Sequence, residues 1–172
     1  NLVGRVTPAV DETGTHADTS LSLTFDSPPT LGSSGAIRIF RESDDAVVDT
    51  ITLNDHQEQI GTGTYRTLKT RPIRISGNTA TIALEGKKLA YNTRYYVAIS
   101  DSVFAGASLS GEVFAGIGKN AGWAFTTRPA PAPNLSALTI DDDGSSADFR
   151  TVQGALNYAM QNLAKSTPVT IT

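Results

Sequence analysis

The sequence predicts a mainly β protein: an antiparallel β-sandwich, then a proline-rich linker, then a short strand–helix–strand segment. Three observations carry this prediction. Stretches along most of the chain alternate apolar and polar side chains with a period of two, as half-buried strands do. Prolines occupy every second position from Pro129 to Pro133, and after residue 150 the apolar spacing becomes that of an amphipathic helix. The predicted units are residues 1–127 (sandwich), 128–134 (linker) and 135–172 (strand–helix–strand).

The composition is that of an ordinary globular protein with little positive charge. The chain has 172 residues, a hydrophobic fraction of 39% and a formal net charge of −3. Beyond Lys87-Lys88 we find no block of basic residues, which argues against a surface that binds the phosphates of nucleic acids. Cysteine is absent, which excludes disulfides, thiolate metal sites and a cysteine nucleophile. No apolar run approaches the ~18–20 residues of a membrane span.

The predicted strands of the sandwich are short and are separated by turns. The first twenty residues are interpreted as a strand end and a loop, and Leu21–Phe25 is the first clear alternating stretch. Seven or more such stretches without a convincing helix between them favour an antiparallel sandwich. The other predicted strands are Ala36–Phe40, Ala46–Leu53, a short strand at Ile73 and Ile75, Thr79–Leu84, Arg94–Ser100 and Gly122–Thr127.

Three stretches of this unit resemble a bacterial Ig-like domain of the type that recurs in surface-layer and secreted proteins. They are Leu21–Phe25 with the following Asp-Ser-Pro-Pro turn, residues 89–99, and Trp-Ala-Phe-Thr-Thr at 123–127. The resemblance covers most of residues 1–127. It implies a spacer or accessory module in a secreted or cell-surface bacterial protein, because members are not usually catalytic. A module that binds carbohydrate or cell wall is the alternative.

The last unit is predicted to contain a strand at Leu138–Ile140, a helix from Thr151, and a strand that starts at Val169. Thr151 suits the N-cap position, because its hydroxyl can accept a hydrogen bond from the first turn. Gly154 weakens that turn by about 1 kcal/mol relative to alanine, so we expect a packing reason for it. The apolar stripe of the helix consists of Val152, Ala155, Leu156, Ala159, Met160 and Leu163.

Residues 148–155 read Asp-Phe-Arg-Thr-Val-Gln-Gly-Ala. With the strand, the acidic glycine loop and the helix around them, they resemble the start of a pectin methylesterase (pectinesterase). The resemblance covers about a fifth of the chain and implies that the helix caps a right-handed parallel β-helix. It also implies a parent enzyme that de-esterifies pectin (polygalacturonate methyl ester) without a cofactor or metal.

The catalytic aspartates, arginine and glutamines of that family come from later coils of the β-helix. No catalytic, cofactor-binding or metal-binding residue is therefore assigned to this chain. We expect the chain to be a fragment of a larger enzyme, with pectin bound by the missing catalytic part, and to be inert by itself.

Three other groups of residues could carry chemistry, and each has a simpler interpretation. Asp141-Asp142-Asp143-Gly144 could bind Ca²⁺, yet it lacks the ligand spacing of an EF-hand loop, and a solvated turn is favoured. Residues 106–111 (Gly-Ala-Ser-Leu-Ser-Gly) miss the nucleophile-elbow pattern by one position, which favours a flexible loop. His16 and His56 lie among polar residues and are predicted to be exposed loop histidines rather than members of a catalytic triad.

The aromatic residues Tyr95, Tyr96 and Trp123 could form a platform on which a sugar ring stacks. The alternation of their strands places Tyr95 and Trp123 on the inward face, where core packing is the default. Only Tyr96 is predicted to face outward, and one aromatic side chain does not make a platform.

The apolar face of the predicted helix, residues 151–163, must be covered by something. The sequence leaves three alternatives open. The linker could let the last unit pack onto the sandwich, a second copy of the chain could cover the helix by self-association, or the segment could be disordered.

Overall fold

The computed structural model describes residues 1–60, 66–85, 89–131, 136–142 and 146–172. Lys87-Lys88, the end of the linker and the middle of the acidic loop lie outside the described residues. The β-strands are β1 (Val6–Thr7), β2 (Glu12–Thr15), β3 (Leu21–Thr24), β4 (Thr30–Leu31), β5 (Ile37–Arg41), β6 (Ala46–Ile51), β7 (His56–Ile60), β8 (Arg66–Thr70), β9 (Ile73–Ser76), β10 (Thr79–Ile82), β11 (Arg94–Ile99), β12 (Phe104–Ala105), β13 (Ser108–Leu109), β14 (Glu112–Val113), β15 (Ala124–Thr127), β16 (Ala137–Leu138) and β17 (Thr170–Ile171). A 3₁₀ turn spans Lys119–Ala121, and the helix α1 spans Val152–Asn162.

Two sheets share the core of the first unit. One has the strand order β1-β3-β10-β9, and the other has the order β2-β15-β11-β5-β6. Neighbouring strands are antiparallel except for the pair β2 and β15, which is parallel. The described part of the chain is thus mainly β with multiple antiparallel sheets, which agrees with the predicted sandwich.

The inward faces follow from the period-two alternation of the sequence. Ile37 and Ile39 in β5 are fully buried, and the intervening Arg38 is exposed. Trp123, just before β15, is also fully buried, and its indole Nε1 donates a hydrogen bond to Pro8 O at 3.0 Å. Burial of large apolar side chains from both sheets is the main stabilising term of such a fold. The other buried side chains at alternate positions of their strands are Ala80, Ile82, Tyr95, Val97, Ile99 and Phe125.

Some elements differ from the sequence prediction. The first twenty residues contain β1 and β2, and the four residues of β2, Glu-Thr-Gly-Thr, show no apolar alternation that could have predicted a strand. β2 exists because β15 offers it a parallel partner. β6 ends at Ile51 rather than Leu53, and β10 ends at Ile82 rather than Leu84.

In the last unit, two short parallel strands precede and follow one helix in the sequence. β16 pairs with β17, and α1 lies between them in the chain, as a parallel connection requires. The helix ends at Asn162, one residue before the predicted end. Its buried side chains Ala155 and Tyr158 pack with Leu138 and Phe149 in a second, small core, and the rings of Phe149 and Tyr158 lie 5.5 Å apart.

Candidate functional site

His16 is buried, and the prediction of an exposed loop histidine is wrong for this residue. Only 4% of His16 is exposed, and its Nε2 lies 2.9 Å from Ala147 O of the last unit. The polar neighbours of His16 in sequence gave no sign of this, because Arg128 and Ala147, which lie beside it, are 112 and 131 positions away.

His56 is exposed, as predicted, but it lies in strand β7 of a hairpin with β8 rather than in a loop. A shallow groove beside it is lined by Arg71, Pro72 and Leu84 among others. Arg71 forms an ion pair with Asp55 at 3.2 Å, and both side chains are largely exposed. Such a pair contributes little to stability.

The acidic loop and the glycine-flanked serine loop also have structural explanations. Asp141 and Asp142 are exposed, and Asp142 O accepts a hydrogen bond from Arg150 Nη1 at 2.6 Å. The rest of the predicted calcium loop, from Asp143, lies outside the described residues. No group of three or more metal-binding side chains occurs in the part of the chain that the structure describes. Residues 106–111 lead into β13 and form its turn to β14.

Tyr96 is on the outer face of its strand, but it is covered rather than exposed. Only 7% of the residue is accessible, because its ring stacks on Phe40 at 4.8 Å with an angle of 3° between the planes. Lys119 Nζ lies 5.2 Å from the ring centre, and the hydroxyl donates to Asp45 Oδ1 at 3.1 Å.

The groups around this ring shift each other's pKa values. Burial, followed by the hydrogen bond to Asp45, raises the pKa of Tyr96. The ion pair with Lys119 lowers the pKa of Asp45, and the hydrogen bond from Tyr96 lowers it further. The arrangement therefore leaves little open ring surface on which a sugar could stack.

A network of side-chain hydrogen bonds joins the sandwich to the last unit. We define the junction loop as residues 16–18, which directly follow β2. Its centre, Ala17, is buried, and Ala17 O accepts a hydrogen bond from Leu89 N at 2.7 Å. The loop is therefore anchored to the sandwich, and the side chains of its two outer residues reach the last unit.

Asp18 binds the N-terminus of α1. Its Oδ2 accepts hydrogen bonds from Thr151 N at 2.8 Å and from Thr151 Oγ1 at 2.7 Å. It also accepts one from Arg150 N at 3.2 Å. Thr151 Oγ1 in turn accepts from Gly154 N at 2.9 Å, so the predicted N-cap is confirmed. A carboxylate at this end of a helix is stabilised by the unpaired backbone N–H groups and by the helix dipole.

Gly154 has the packing reason that its sequence position suggested. A β-carbon at this position would collide with Asp18 Oδ2 and would lie 2.9 Å from Asp18 Cγ. Because Asp18 is held by several hydrogen bonds, it could not move aside without breaking them. The close approach of the junction loop to the helix therefore requires glycine.

Arg128 supplies the second connection. Its Nη1 donates to Ala147 O at 2.5 Å and lies 2.9 Å from His16 Nε2, while its backbone N donates to Thr15 O at 2.8 Å. Arg128 is thus fixed to β2 at one end and to the last unit at the other.

Tyr91 lies close enough to the Asp18 carboxylate to feel its charge. Burial raises the pKa of the Tyr91 hydroxyl, and the Asp18 charge raises it further. The junction is a closely packed polar contact between the sandwich and the last unit.

The family model for the bacterial Ig-like domain matches residues 2–127 of this chain. The chain belongs to the bacterial Ig-like domain family. No curated protein and no solved structure matches it. Bacterial Ig-like domains occur in surface proteins, and no helix among the described residues has both the length and the hydrophobicity needed to cross a membrane.

The match ends one residue before Arg128. The bacterial Ig-like domain therefore contributes His16 and Asp18 to the junction, whereas Thr151 and Gly154 lie beyond the family match. The junction is the place where this domain meets the segment that follows it.

Proposed function

We propose that this chain is the N-terminal accessory region of a secreted bacterial pectinesterase. The bacterial Ig-like domain is a spacer, residues 128–134 are a linker, and residues 135–172 are the first coil of a right-handed parallel β-helix. The observation that carries the proposal is the parallel pairing of β16 with β17 around α1, at the residues that resemble the start of a pectinesterase.

The geometry of β17 is compatible with such a coil. Thr170 N and Thr172 N donate to carbonyl groups on the β16 side, at 2.9 Å and 3.0 Å. Backbone groups alternate in direction along a strand, so those of Ile171 point to the opposite edge. A further parallel strand could pair there. Met160 and Val169 on the same unit are 82% and 37% exposed, and a following coil would cover such side chains.

The carboxylate of Asp148 has a structural role in the last unit. Asp148 Oδ2 accepts hydrogen bonds from Thr139 N at 3.0 Å and from Thr139 Oγ1 at 2.9 Å. These bonds tie the loop before α1 to the end of β16. Asp148 is thus engaged in structure, and the reacting groups would come from coils of the parent enzyme.

The decisive experiment compares the parent polypeptide with the 18.1 kDa chain. We expect the purified natural gene product to be larger and to release methanol from methyl-esterified polygalacturonate. We expect the 172-residue chain to release none above background. Turnover by the chain alone, or a natural product that lacks esterase activity, would contradict the proposal.

Binding to carbohydrate or cell wall is the rival role for the Ig-like domain. The covered ring of Tyr96 argues against it. We expect no retention of the chain on insoluble pectin, and no change in the Lys119→Ala variant, which removes part of the cover of Tyr96. Retention of the unmodified chain that free polygalacturonate competes away would replace the spacer role with a binding role.

A further inference from the structure

We infer that the bacterial Ig-like domain is a folding template for residues 136–172. In this role the domain does more than separate two parts of a protein. The junction loop and Arg128 supply the contacts that order α1, and they set the direction in which β16 and β17 leave the sandwich. The inference concerns this chain's own folding and does not depend on the chemistry of the parent protein.

The last unit has little to hold it together by itself. Its fully buried cluster in the described residues has four side chains, against twenty-two in the sandwich. Segments shorter than about 40 residues rarely fold without a metal, a disulfide or a partner. The helix has 11 residues, and isolated helices shorter than about 12–15 residues are marginal in water. The order of this unit must therefore come from outside it.

The junction supplies what the helix lacks. The first turn of α1 contains no acidic residue of its own, and Asp18 provides a carboxylate at that position from the sandwich. Asp18 and Arg128 follow β2 and β15, which are paired side by side at Thr15 and Thr127. Both side chains thus follow neighbouring strand ends of one sheet. The packing of that sheet therefore fixes where the helix finds its partners.

Two features of the last unit fit groups that the sandwich presents to it. Gly154 is unfavourable for a helix, and its only evident advantage is that it lets the Asp18 carboxylate approach. Ala147 O accepts from Arg128 Nη1, and this carbonyl lies just before α1. Each of these features is explained by the partner unit and not by the helix itself.

Amide hydrogen exchange of the full chain tests the inference, because it reports on each unit separately. In the Asp18→Ala variant we expect protection of the α1 amides to fall by at least about fivefold, the size of a lost N-cap. Protection in β5 and β11 should be unchanged. Thr151→Ala, which removes the other side of the same contact, should act in the same way. Asp101→Ala, at an exposed aspartate of the sandwich, is the matched control and should change neither unit.

A double-variant cycle gives the sharper result. Gly154→Ala should lower α1 protection in the natural chain, because the new methyl group displaces Asp18. In the Asp18→Ala background the same change should raise α1 protection, because alanine is the better helix former once the collision is gone. The effect of Gly154→Ala therefore changes sign. A favourable effect in both backgrounds would overturn the inference.

Two other outcomes would also overturn it. Unchanged α1 protection in Asp18→Ala would show that the junction does not order the helix. Equal loss of protection in α1 and β11 would show one cooperative unit rather than a template and its client. A parent protein without esterase activity would refute the proposed function and leave these measurements unaffected.

Discussion

Replacing Trp123 by alanine is expected to lower the free energy of unfolding by about 3–5 kcal/mol. Trp123 is the single tryptophan of the chain and is fully buried between the two sheets. Truncation leaves a cavity and also leaves Pro8 O without the indole donor that lies 3.0 Å away. Urea unfolding followed by far-ultraviolet circular dichroism gives the measurement, since the variant has no tryptophan to report by fluorescence.

Two variants separate the contributions at this site. Trp123→Phe keeps an aromatic ring in the core but removes the donor to Pro8 O, and should cost about 1–3 kcal/mol. Val113→Ala truncates a side chain that is 82% exposed, and should stay within about 0.5 kcal/mol of the natural chain. If Trp123→Ala lowered the free energy of unfolding no more than Val113→Ala does, the burial of Trp123 in the core would be contradicted.

Replacing Gly32 by alanine is also expected to destabilise the protein, for a steric reason. A β-carbon at residue 32 would collide with the backbone carbonyl oxygen of Ser102 and would lie 3.1 Å from its carbon. The backbone N of Gly32 donates a hydrogen bond to Val103 O at 2.8 Å. The segments around residues 32 and 102 therefore cannot separate without losing that bond. Overpacking of this kind costs about 1–3 kcal/mol and occasionally more.

Gly118→Ala is the matched control for this prediction. No atom lies within 4 Å of a β-carbon built there, and the φ of Gly118 is −99°, which alanine readily adopts. The substitution should be neutral or should stabilise the protein by about 0.4–1 kcal/mol, because it restricts the unfolded chain. The urea midpoint of Gly32→Ala should therefore lie clearly below that of Gly118→Ala, and equal midpoints would contradict the contact between residues 32 and 102.

Strands that carry their own apolar alternation could be predicted from the sequence. β5 and β11 both place large apolar residues at every second position. Their inward faces therefore follow from the sequence. β2 could not be predicted in this way. Its Glu-Thr-Gly-Thr residues carry no pattern, and its pairing with β15 joins parts of the chain that are more than a hundred residues apart.

The aromatic and histidine residues show the same division. Tyr96 faces outward in its strand, as its position in the alternation predicts, yet Phe40 and Lys119 cover it. Local pattern gives the direction of a side chain but not what lies above it. For His16 the polar neighbours in sequence predicted exposure, and the opposite holds because Ala147 and Arg128 enclose it.

What the sequence by itself determined was local. Three features depend on residues within a few positions of each other and can be recognised without a structure. They are the period-two alternation, the N-cap at Thr151 and the unfavourable glycine at position 154 of the helix. Only the tertiary structure decided that Asp18 is the partner of both Thr151 and Gly154. That contact spans 133 positions in the chain. It exists because packing of the sandwich places the end of β2 at the start of a helix, and no local pattern encodes that meeting.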